Sequence, residues 1–174
     1  KPKPTPRRNA APMRARTNRP GPAKRTTRAS AAATSKTSAQ SLRDALLHCA
    51  TKEQLQTLLE GLSPRQARVL TEGFIAVRDA VDAGDYGAAL NAMEDIPAPV
   101  RQHSGPSMKL LYAYLLYKTG AIRPRYDEVV TLLEELSGTH PRWVGERPEV
   151  RYFMARSMWA EAAFGDAVRV MRQY

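Results

Sequence analysis

Eleven cations crowd the first 42 residues of this 174-residue chain: Lys1, Lys3, Arg7, Arg8, Arg14, Arg16, Arg19, Lys24, Arg25, Arg28 and Lys36. No Asp or Glu stands among them. The chemistry open to such a set is polyanion binding. A guanidinium presents a fork of donors that fits phosphate oxygens, and an ammonium presents a compact charge. No aromatic residue precedes Phe74, so the segment offers no platform on which bases could stack. Its contacts therefore go to phosphates, indifferent to base sequence and weakened by salt. RNA is the first expectation, DNA the second, and an anionic membrane surface or an acidic protein the third. A merely solubilising linker has no reason to exclude every acid, and blocks of one charge sign often serve as interaction arms.

The remaining reactive side chains do not assemble into a reaction centre. His48, His103 and His140 lie far apart in the chain, and His48 is adjacent to Cys49, the one cysteine. Adjacent residues on a helix point about 100° apart, so His48 and Cys49 do not form a metal pair. Glu94-Asp95 and Glu134-Glu135 are adjacent acids that point to different helix faces, which reads as solvated surface rather than an acid/base couple. No phosphate-binding glycine loop, nucleophile elbow or zinc-peptidase motif occurs. Tyr112, Tyr114 and Tyr117 resemble a stacking ladder only on paper, because residues two apart on a helix diverge; core packing is the better reading. Arg151, Arg156, Arg169 and Arg172 make the C-terminal helices basic. That charge either extends the polyanion footprint or is ordinary solvated surface. The expectation is no enzyme, no metal, no cofactor and no small-molecule substrate.

The elements that carry these residues fall into two unlike parts. Residues 1–42 carry +11, and residues 43–174 hold 16 Lys and Arg against 17 Asp and Glu, or −1, which together give the net +10. The opening KPKPTPRR favours an extended polyproline-like chain that its own charges stretch. With Met13 and Leu42 as the large apolar residues of 1–42, the arm cannot offset its ordering entropy by burial and is expected to be disordered unless bound. It is also acid-free and rich in Arg, Ser and Thr, as transit peptides are, but six prolines break any targeting helix. The chain begins at Lys1 rather than Met, so either it has been processed or the sequence starts downstream; a mature basic extension is expected, with removal of a targeting sequence as one way of exposing it. A single cysteine suits a reducing compartment. The most apolar stretch, Leu110 to Tyr117, is far shorter than a membrane span requires.

In residues 43–174 the hydrophobic period is helical throughout. Ser41 with Asp44, Thr51 with Gln54, and Ser63-Pro64 read as helix starts. The expected helices run from 41 to about 50, from 51, from 64 to Gly84, from Tyr86 to about 96, from Pro106 to Gly120, from Tyr126 to about 136, from Pro148 to about 163, and from Asp166 to Tyr174. Residues 137–147 are expected to be a loop holding Trp143. A repeat emerges from this layout. Tyr86-x-x-Ala89-Leu90-x-x-Met93 matches Tyr126-x-x-Val129-Val130-x-x-Leu133, and both match Phe164-x-x-Ala167-Val168-x-x-Met171. Each copy follows an apolar helix, which describes stacked antiparallel helix pairs.

Over residues 74–174 the chain resembles the tetratricopeptide repeat family. Tyr126, Val129, Leu133, Leu136 and Pro141 stand at that family's helix-B positions, and Gly84-Asp85-Tyr86 repeats its turn. Arg123-Pro124-Arg125 is an insertion, the period exceeds the family's usual one, and Gly73 and Val77 depart from its helix-A pattern. The resemblance implies an all-α solenoid of helix hairpins that binds proteins, peptides or RNA. The full expectation is a non-catalytic component of a ribonucleoprotein, plausible as a mitochondrial ribosome, with the arm on RNA phosphates and the helices docking neighbouring protein subunits. The alternative is a soluble, otherwise cytoplasmic adaptor that holds a peptide or helix in its groove and uses the arm as a tether. Because the sequence stops at Tyr174 with no further helix for the last pair, Val168, Met171 and Tyr174 are expected to dock a partner chain, or the natural chain continues.

Overall fold

Among the described residues, three helices begin where a side chain closes the helix end locally. A computed structural model describes residues 39–49 and 51–173, and every regular element among them is an α-helix. Helix α1 covers 39–47. Helix α2, Lys52–Glu60, opens on a reciprocal capping box between Thr51 and Gln54, and α3, Pro64–Asp82, opens on a second one between Ser63 and Gln66 with Pro64 in its first turn. At the end of α3, Gly84 turns into the left-handed region at φ 74°. The amides of Asp85 and Gly84 then donate back to the carbonyls of Ala80 and Val81, both at 2.9 Å. This double closure satisfies carbonyls that a helix end otherwise leaves free. Asp85 starts the next helix within the same turn: its carboxylate accepts from the Ala88 amide at 2.9 Å and caps α4, Tyr86–Asp95.

The chain continues through α5, Ala98–His103, α6, Pro106–Thr119, α7, Tyr126–Thr139, α8, Pro141–Gly145, α9, Pro148–Ala160, and α10, Phe164–Met171. Two of these correct the sequence reading. Residues 98–103 and 141–145 are short helices, the second inside the segment expected to be a loop. Pro99 and Pro141 stand in their first turns, where a proline gives up no helical hydrogen bond. Buried Val100 and Val144 anchor them to the core. Helix α7 also runs to Thr139, because the Ser137 and Thr139 hydroxyls donate to the Leu133 and Glu135 carbonyls and wrap its last turn. Helix α9 stops earlier than expected. Ala162 takes a left-handed φ of 61° and the Ala163 amide folds back onto Met158, so α10 starts at Phe164 rather than at Asp166.

Packing follows chain order: α3 on α4, α4 on α6, α6 on α7, α7 on α9, and α9 on α10. The helices thus form three hairpins, α3/α4, α6/α7 and α9/α10, and each hairpin packs on the next. Leu90, Met93, Leu115, Leu116, Leu133, Leu136 and Val150 make one continuous core between them. Helix α1 belongs to this body. Leu46 is fully buried, and Leu42, assigned to the arm on composition, is only 4% exposed. Arg43 of α1 also reaches the carbonyl and carboxylate of Asp95 at the end of α4.

Candidate functional site

The three copies of the sequence repeat hold the same structural position, because Tyr86, Tyr126 and Phe164 are each the first residue of a hairpin's second helix. Three residues on, Ala89, Val129 and Ala167 are all buried. Seven residues on, the copies part. Met93 and Leu133 are 0% exposed, whereas Met171 is 42% exposed. Leu90 is buried and Val130 half-buried, but Val168 is 43% exposed. The cause is the next hairpin: α6 lies on α4 and α9 lies on α7, while α10 packs on α9.

Side chains of α9 enlarge the uncovered surface. Trp159 is 53% exposed and packs edge-on against Phe164, which is 50% exposed, with ring centroids 4.8 Å apart. Trp159, Ala167, Val168 and Met171, with Arg156 and Arg172 at the margin, line a groove of about 400 Å³. Among the described residues no carboxylate lines it. Arg169 is spoken for by Asp166 at 2.6 Å. A hydrogen bond to the Tyr117 phenol and the neighbouring tyrosines push the Arg156 guanidinium upward. The arrangement has no group poised for proton transfer or nucleophilic attack; what it can do is bury apolar surface and meet negative charge.

A second polar constellation lies between α4, α6 and α7, and sequence reasoning missed it. Arg125, part of the insertion, pairs with Glu94 of α4 and with Glu128 of α7, the latter at 2.6 Å. The Tyr112 phenol sits 3.1 Å from the Glu128 carboxylate and 3.3 Å from the Arg125 guanidinium. Burial, then the Glu128 charge, pushes the Tyr112 phenol up. Burial pulls the Arg125 guanidinium down, but its bonds to Glu94 and Glu128 outweigh that and leave it raised. Close by, Lys109 pairs with Glu135 at 2.6 Å. Arg101 donates to the carbonyls of Met93, Glu94 and Ile96 and closes the end of α4. The cleft here is small, about 160 Å³, and its charges already satisfy one another. It is a clamp between two hairpins. Glu94 is therefore an ion-pair partner and not free surface. The one signal for it was an Arg placed just before a helix with Glu three residues on.

Of the residues the sequence singled out, Val168 and Met171 come together on one exposed face. Tyr174 and all eleven arm cations, Lys1 to Lys36, lie outside the described residues. Tyr112 is buried, and Tyr114 and Tyr117 pack edge-on into a row with Tyr86, Phe153 and Tyr126. No helix among the described residues is long and apolar enough to cross a membrane, and no group of three His, Cys, Asp or Glu there could hold a metal ion.

Set against protein-family models, curated proteins and solved structures, the chain gives no significant match to any of the three.

Proposed function

We propose that this protein is a non-catalytic docking component of a ribonucleoprotein. Its helical body seats on a protein neighbour through the uncovered α9/α10 face, and its basic arm runs along RNA phosphates. The observation that carries the reading is the split at the repeat position: Met93 and Leu133 are fully buried and Met171 is not. Apolar side chains at a repeat's packing positions that remain exposed mark a surface shaped for a further contact. Three hairpins in one register support a tetratricopeptide-like solenoid as the architecture. Eleven cations without an acid in residues 1–42 support the RNA contact. The arm's Arg-, Ser- and Thr-rich composition is what points to a mitochondrial ribosome as the particle.

Removing residues 1–38 tests the arm while leaving Leu42 and Leu46 in place. Melting of the helical body is expected to stay within about a degree, since no described core residue is lost, and RNA affinity is expected to collapse. On single-stranded RNA each lost phosphate contact removes about 0.7 from the slope of log K against log salt. A truncated chain with undiminished affinity and slope refutes the arm as the RNA anchor.

A further inference from the structure

The α9/α10 groove has a chemistry that selects its occupant, and the two internal junctions show the shape that occupant takes. At each one a single helix lies along the preceding hairpin's second helix: α6, of 14 residues, on α4, and α9, of 13 residues, on α7. Each buries a largely apolar set of side chains, Tyr112, Leu115 and Leu116 of α6 and Val150, Met154 and Met158 of α9. The first junction is also sealed at its margin by an arginine on carboxylates, Arg125 on Glu94 and Glu128. At the α9/α10 groove the apolar seam is present, in Trp159, Val168 and Met171, and so are the marginal arginines, Arg156 and Arg172. Among the described residues no carboxylate lines this groove.

Resting on the docking function given above, we propose that the α9/α10 groove binds one amphipathic helix of a separate protein, about 14 residues long by the internal precedent, with an apolar stripe flanked by Asp or Glu. Two other occupants fit the charges poorly. Residues 1–38 contain no acid, so the arm cannot answer Arg156 and Arg172. A second copy packed through the same face brings two sets of arginines and no lining carboxylate into one interface, and like charges brought together at an interface cost affinity. The acidic flanks follow from desolvation. Arg156 and Arg172 are both exposed and stable in water, but a helix lying over Val168 and Met171 shields them, and a shielded cation without a partner is costly.

The test uses the full 174-residue chain and three synthetic peptides in fluorescence anisotropy. One is an amphipathic helix with Leu at stripe positions and Glu on both flanks, one carries Lys on the flanks, and one scrambles the Glu peptide. The basic arm attracts both acidic peptides alike, so the difference between the ordered and scrambled sequences reports the groove. The ordered Glu peptide is expected to bind at least tenfold tighter than either control. Met171→Lys should abolish that margin with the circular-dichroism helix signal retained, and the double variant Arg156→Glu, Arg172→Glu should move the preference to the Lys peptide. Equal binding of the Glu and Lys peptides, or a margin that survives Met171→Lys, overturns the proposal. Concentration-dependent dimerisation lost in Met171→Lys, without peptide binding, overturns it in favour of a second copy and leaves the docking function itself standing. A monomer that binds none of the peptides and is unaffected by Met171→Lys overturns both.

Discussion

One repeat position in three surroundings offers an internal experiment on what holds the stack together. Met93, Leu133 and Met171 stand seven residues into α4, α7 and α10. Truncating each to Ala removes a comparable volume from a comparable place on a helix. Met93 and Leu133 are 0% exposed, so each truncation loses transfer free energy and leaves a cavity that neighbours on two hairpins cannot fill. Buried Met or Leu to Ala costs about 2–5 kcal/mol. Met171 is 42% exposed. Full burial of such a side chain is worth about 1.5–3 kcal/mol, so a little over half of that is at stake and water fills the space; about 1 kcal/mol is expected. Glu134→Ala, on the solvent side of α7, should cost under about 0.5 kcal/mol.

Urea unfolding followed by circular dichroism reads these differences. With a slope of about 1–3 kcal/mol per molar for a chain of this size, a loss of about 3 kcal/mol moves the midpoint by roughly 1–3 M. The slope itself should hold across the variants. Equal losses at Met93, Leu133 and Met171 would refute the claim that the third copy lacks its cover. A loss at Glu134 matching that at Leu133 would mean the helical phase of α7 is wrong.

Two further outcomes follow from particular residues. Ala162 holds a left-handed φ of 61° at the place where the first hairpin uses Gly84 at 74°; Ala162→Gly should raise stability by about 0.5–1 kcal/mol and Gly84→Ala should lower it by as much or more, both by urea midpoint. The Tyr112 phenol is raised above its ordinary 10.0 by burial and by Glu128, so the folded state holds that proton more tightly than the unfolded state. Stability from this group is full below pH 10 and is lost as pH rises through the folded value. In Tyr112→Phe the alkaline fall in stability should be shallower, by up to about 1.4 kcal/mol per pH unit, and an unchanged alkaline limb speaks against the buried phenol.

What the sequence made legible was whatever is settled within a few residues. Thr51 with Gln54, Ser63 with Pro64, and Gly84 with Asp85 close their helix ends using their own side chains and backbone, so those boundaries stand in the residues themselves. Helices α5 and α8 were hidden because at 6 and 5 residues they are too short for a hydrophobic period to show, and their prolines carry two meanings that only packing of Val100 and Val144 decides. The same holds for the sites. The exposed face was foreshadowed by the repeat register at Val168 and Met171. The contribution of Trp159 depends on how α9 and α10 cross, which no periodicity records. The Arg125 clamp joins residues 31 apart in the chain, and its members looked like ordinary surface charge until the fold brought them together.

The division of labour at the α9/α10 face follows from how the two kinds of group respond to water. Trp159, Val168 and Met171 gain free energy from any apolar cover, in rough proportion to area and with little regard to identity. Taken alone they would make the face adhesive to many partners and to other copies of itself. Arg156 and Arg172 gain little in water from an exposed ion pair, yet once covered they penalise every partner that brings no carboxylate. The apolar seam therefore sets how strongly a helix is held, and the arginines set which helix is rejected. Raising salt should separate the two contributions. The margin of the acidic peptide over the basic one should shrink, because partly exposed charges are screened at a Debye length of roughly 3 Å in 1 M salt, while the part lost on Met171→Lys should persist. A seam whose contribution vanished together with the charge selectivity would mean that the arginines, and not the apolar groove, hold the helix.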